Sequence, residues 1–96
     1  MNKKNNKLNN LKYKFNRNIL YRDTDELLMA YNKENSDMYE FNAIGGEIFK
    51  LMEKEESIEN IFNILTKEYS VTIDDIYEDV FEIINRMLEL NIIERI

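Results

Sequence analysis

The feature that most limits what this chain can fold into is a change of hydrophobic period at Asn42. In residues 37–42, Tyr39 and Phe41 alternate with Met38 and Glu40, the period-2 pattern of a strand with one buried face. Two further apolar segments, residues 19–23 and 27–32, precede it, and the polar connectors 24–26 and 33–36 have the length of hairpin loops. The expectation is a three-stranded antiparallel meander in sequence order, with residues 37–42 at an edge carrying unpaired N–H and C=O groups. After Asn42 the spacing turns helical. Ile44, Ile48, Leu51 and Met52 form one stripe, and Ile58, Ile61, Phe62, Leu65 and Tyr69 form another. Ser57 is suited to cap the second helix, and Thr72 with Asp75 three residues on matches a capping box opening a third helix over about residues 73–90. Ile92, Ile93 and Ile96 either add a short apolar wing or pack across the helix ends. The fold class is therefore α+β: a three-stranded antiparallel sheet followed by three helices.

Residues 1–10 are almost entirely Asn and Lys, with too few apolar side chains to offset the entropy of ordering them. Residues 1–17 are accordingly read as a flexible basic tail and residues 18–96 as the domain, a size at which a single core is feasible but marginal. Charge is divided unevenly. Residues 1–22 hold seven basic and no acidic side chains, whereas the remainder holds six basic and nineteen acidic ones, a net charge of −13. Such a body repels nucleic acid and attracts basic protein or peptide surfaces.

Absent residue types restrict the chemistry further. With neither Cys nor His, the chain lacks thiolate and imidazole ligands for zinc, iron–sulfur clusters or haem, and it lacks the Ser–His and Cys–His pairs of nucleophilic catalysis. Gly45 and Gly46 are its only glycines, so no glycine-rich phosphate loop is present. The adjacent acids Asp74 and Asp75, or Glu55 and Glu56, do not face each other on a helix and are read as solvated surface. No catalytic residue, metal site or cofactor is expected. No apolar run approaches the roughly 18 residues that span a bilayer, and the N-terminus lacks a signal-peptide stretch, so the expected compartment is the cytoplasm, without a membrane partner.

The third helix has more apolar surface than one core face requires. At 100° per residue, Ile73, Ile76, Val80, Ile83, Met87 and Leu90 make one stripe, and Tyr77, Phe81, Ile84 and Leu88 a second, roughly 100° round. Either the sheet and the first two helices cover both stripes, or Tyr77, Phe81, Ile84 and Leu88 line a groove beside the edge strand. An open edge next to an apolar groove is the geometry of strand addition: main-chain hydrogen bonds hold the incoming segment and its alternate side chains enter the groove. The candidate peptide-binding residues are Met38, Tyr39, Glu40 and Phe41 on the strand, with Tyr77, Val80, Phe81, Ile84 and Leu88 on the helix. Which stripe faces the guest is left open by the sequence.

The run Tyr39-Glu40-Phe41-Asn42 followed by Gly45-Gly46-Glu47-Ile48-Phe49 resembles the strand, Asn and first helix of the PqqD family. Ser57 to Ile61, Glu68 to Val71, Glu78-Asp79-Val80, Met87-Leu88 and Asn91-Ile92-Ile93 resemble its later elements in order and spacing, so that the likeness spans about residues 19–96. Two departures stand out: Asn91, where the family often has Gly, and the basic N-terminal segment. The resemblance implies a winged-helix-like recognition element. Such an element binds the leader of a ribosomally made precursor peptide as an added strand and presents it to a modifying enzyme, often a radical SAM maturase, whose cluster this chain has no cysteine to hold.

Two other readings compete. A winged-helix DNA-binding regulator also has three helices and a small sheet, but its recognition helix needs basic residues, and the third helix here offers Arg86 among six acids. A subunit-interface module would use the same edge and stripe against a second copy, making the chain a weak homodimer rather than a monomer.

Overall fold

The computed structural model describes residues 11–96 with the exception of Asp25. The elements run β1 (Tyr13–Phe15), β2 (Ile19–Asp23), β3 (Leu28–Asn32), β4 (Met38–Phe41), α1 (Ala43–Glu53), α2 (Ile58–Tyr69), α3 (Ile73–Glu89) and β5 (Ile93–Arg95). The expected meander is present, antiparallel and in the order β2-β3-β4, so that β2 and β4 are its edges. Asn32 fixes the second hairpin. Its buried side chain accepts from the Glu34 N–H at 2.9 Å, and its backbone N–H donates to the Asp37 carbonyl at 2.9 Å. With Ser36 in the left-handed region (φ 65°), the chain reverses here and sets Tyr39 opposite Ala30 and Phe41 opposite Leu28.

A second sheet corrects the expectation of a flexible tail over residues 1–17. β1 pairs antiparallel with β5, Phe15 opposite Ile93, and the Phe15 ring packs edge-on against Phe49 at 5.3 Å. Arg17 adds ion pairs at 3.3 Å to Glu53, the last residue of α1, and to Glu55 in the link that follows. The folded body thus begins before residue 18, while residues 1–10 of the expected tail lie outside the described residues. The three terminal isoleucines divide accordingly: Ile92 and Ile93 are buried, and Ile96 is exposed.

All three helices start on side-chain caps, those of α2 and α3 being the ones expected from the sequence. Asn42, Ser57 and Thr72 each accept from a backbone N–H three residues on, and Thr72 with Asp75 completes the capping box. The hydrogen bonds from Thr72 hold the Asp75 carboxyl below the usual carboxylate range. Asn91, just past α3, is left-handed (φ 59°), a conformation that glycine and, among other residues, asparagine best tolerate.

The core lies between the meander and the helices, centred on Phe49 of α1. Its fully buried ring contacts Phe15, Tyr21 and Phe41 at centroid distances of 5.2–5.5 Å. The buried face of α1 is Gly45, Gly46, Ile48, Phe49 and Met52, and Ile44 stands exposed, contrary to the stripe expected from the sequence. The glycines explain the difference. A Cβ on Gly46 would lie 3.1 Å from Leu28 Cβ, and one on Gly45 would lie 3.3 Å from the Phe41 ring, so α1 sits on β3 and β4 with its backbone nearly touching their side chains.

Candidate functional site

Among the described residues β4 has no strand partner on the side away from β3, where it carries a free edge of the meander. Its alternation is as expected: Phe41 is buried and Tyr39 half-buried, whereas Met38 and Glu40 are exposed. The strand stops at Asn42 because that side chain turns to cap α1, accepting from the Gly45 N–H at 2.9 Å. The Tyr39 hydroxyl donates to Asp37 at 3.2 Å; burial first, and Asp37 second, push its pKa up.

Beside the end of β4 lies an open groove of about 630 Å³, within the size range of ligand clefts. Asn42 and Ile44 form one wall, and Asp79, Glu82, Ile83 and Arg86 of α3 form the other. The Arg86 guanidinium lies 5.2 Å from the centre of the Phe41 ring and covers it, a cation–π contact that joins helix to strand. The groove therefore has two apolar residues facing across it, Ile44 and Ile83, in an acidic frame. Glu89 adds to the acids, leaving three carboxylates against one guanidinium.

These positions differ from the expected helix residues. Val80 and Ile84 are 3% and 0% exposed, and with Met87 they form one core line at spacing i, i+4, i+7. The two apparent stripes are the flanks of this line. On one flank Tyr77 and Phe81 pack on Phe62 of α2 at ring distances of 5.8 and 5.9 Å, and Leu88 is likewise half-buried against the core. None of Tyr77, Val80, Phe81, Ile84 and Leu88 lines the groove. The groove-facing flank is the other one, through Ile83. Of the strand residues, Met38, Tyr39 and Glu40 are accessible, and Phe41 is 4% exposed beneath Arg86.

Residues 19–93 match the family described as coenzyme PQQ synthesis protein D. The chain belongs to the PqqD family. A comparison with curated proteins finds no match. Among solved structures, the fold is similar to that of TbiB1 in complex with the TbiA(beta) leader peptide, with a TM-score of 0.77 and 18% sequence identity over 84% of this chain and 94% of the other. At that identity the likeness is one of fold. Among the described residues, this PqqD-family chain has no group of three or more acids, His or Cys placed to hold a metal ion, and no helix long and apolar enough to cross a membrane.

One further carboxylate is perturbed. Glu47 on α1 is pushed up to about 7, mainly by burial and then by the neighbouring Glu68 carboxyl of α2, with Lys50 opposing. Its Oε2 is sealed from solvent without a hydrogen-bond partner among the described residues. Glu47 does not line the groove, so its consequence is for stability rather than recognition.

Proposed function

We propose that this chain binds the leader segment of a ribosomally synthesised precursor peptide by strand addition to β4 and presents the peptide to a modifying enzyme. The observation that carries this reading is the juxtaposition of the free β4 edge with the Ile44–Ile83 groove. The edge offers main-chain hydrogen bonds that any sequence can accept, and the groove offers selection by side chain. Family membership and the leader-bound state of the structural neighbour support it.

The groove's chemistry narrows the guest. An aliphatic or aromatic leader side chain fits between Ile44 and Ile83, and Lys or Arg beside it meets Asp79, Glu82 and Glu89. The chain acts as a binding module in the cytoplasm, and an enzyme acting in trans, a radical SAM maturase being one fitting class, supplies the chemistry. Duplex DNA is a poor guest. The exposed face of α3 presents Asp74, Asp75, Glu78, Asp79, Glu82 and Glu89, which repel phosphate.

The test is titration of the labelled chain with a basic precursor leader, followed residue by residue by NMR. Binding should shift and protect the backbone amides of residues 38–42 and move the side-chain methyl signals of Ile44 and Ile83. A titration that leaves the β4 amides unmoved refutes strand addition at this edge.

A further inference from the structure

The outer face of the meander, opposite the helices, is not covered by any described element. Its side chains fall by register into two rows across the strands: Leu20, Tyr31 and Met38, and then Arg22, Met29 and Glu40. The first row is unusually bare for apolar residues, with Leu20 52%, Tyr31 37% and Met38 63% exposed. A shallow, mainly apolar hollow of about 280 Å³ runs across both rows, touching all of these residues except Glu40.

We propose that this face is a self-association surface, and that its occupant is a second copy of the same chain, packed sheet against sheet about a two-fold axis parallel to β3. The placement of two charges points to this occupant. Arg22 on β2 and Glu40 on β4 stand in one row on opposite sides of Met29, about 10 Å apart at ordinary strand spacing, and neither forms an ion pair among the described residues. A two-fold axis along β3 lays β2 of one copy over β4 of the other. Arg22 then meets the second copy's Glu40, and Glu40 meets the second copy's Arg22. In the neighbouring row Leu20 meets the second copy's Met38, while Tyr31 and Met29 lie near the axis and meet their own counterparts.

One patch thus satisfies itself twice, as an isologous contact must, with sheets about 10 Å apart and nearly aligned. A generic apolar partner would account for the bare row but not for opposite charges at equal height on the two flanking strands. The face is perpendicular to the β4 edge, so a strand added there leaves it free, and the inference stands independently of leader binding.

The patch spans about 14 by 16 Å from strand spacing and rise. This is well below the ~800 Å² per partner of a standard interface, so association is weak and concentration-dependent. Sedimentation equilibrium of the full chain without peptide, from about 10 μM to about 1 mM, covers the range in which contacts of this size form.

The wild type should move from monomer toward dimer mass across that range. Arg22→Glu and Glu40→Arg should each weaken association at least about tenfold, because each sets like charges opposite one another twice. An equimolar mixture of the two variants should associate again, since every charge then meets its opposite. Both sites are on the exposed face, and unchanged far-UV circular dichroism confirms that the variants fold. A wild type that stays monomeric throughout, single variants that associate like the wild type, or a mixture that stays monomeric would each overturn the proposal.

Discussion

Ile83 and Phe81 stand two residues apart on α3, and the structure gives them opposite roles, so truncating each to alanine tests the placement of the groove. Ile83 is half-buried and looks across the groove toward Ile44, where a guest side chain would cover what remains open. Removing about two groove-facing carbons at about 0.8 kcal/mol each weakens leader binding by about 1.5 kcal/mol, roughly tenfold in Kd. The fold should lose less than about 1 kcal/mol, because the side chain is only partly buried in the free chain. Phe81 packs on Phe62 at 5.9 Å and on Tyr77 at 4.8 Å, away from the groove. A fully buried Phe→Ala costs about 3–5 kcal/mol; half-buried, Phe81→Ala should cost about 2 kcal/mol of stability while leaving leader affinity within about twofold. Urea denaturation supplies the stability difference and fluorescence anisotropy with a labelled leader supplies the Kd, both at a temperature where each variant is folded. If Phe81→Ala weakens binding and Ile83→Ala does not, the guest lies on the α2 side of α3 and the groove assignment is wrong.

The fold depends on β1 as well. Phe15→Ala should destabilise the chain by about 3 kcal/mol in urea melts, although residue 15 falls in the segment expected to be tail; a loss under about 0.5 kcal/mol would contradict its core position. Because the folded value of Glu47, about 7, lies above the ordinary 4.5, the fold prefers its protonated form. That contribution is complete below pH 4.5 and is lost as pH rises through about 7, so stability should fall by on the order of 1–2 kcal/mol between pH 5 and pH 8 after allowing for partial exposure. Glu47→Gln should flatten this slope, which paired melts at the two pH values would show. Arg86→Ala uncovers the Phe41 ring and should cost about 0.5–1 kcal/mol, whereas Arg86→Lys should recover only part of it, since a lysine ammonium lacks the planar face that stacks on the ring.

Much of this molecule is legible in its sequence because it follows from local rules. Period 2 before Asn42 and period 3.6 after it specify a sheet and then helices, and the capping residues Ser57 and Thr72 mark where the second and third helices begin. Short connectors between 19 and 42 require a meander, which makes β4 an edge. The docked N-terminal strand left a signal too: Leu11, Tyr13 and Phe15 alternate with Lys12 and Lys14, but the surrounding Asn and Lys residues dilute it. What pairs with that strand is not local, since its partner β5 lies some eighty residues further along the chain.

The helix faces were decided by tertiary structure alone. On α1, the buried set 45, 46, 48, 49 and 52 forms one helical face only when the glycines are included, and whether a glycine is buried depends on what approaches it, here Phe41 and Leu28. On α3, a broad apolar face admits two helix rotations from the sequence. Phe62 of α2 takes Tyr77 and Phe81, the core takes Val80, Ile84 and Met87, and Ile83 is left for the groove. Periodicity determines that a helix has an apolar face; only its neighbours in space determine which flank of that face is still open for a guest.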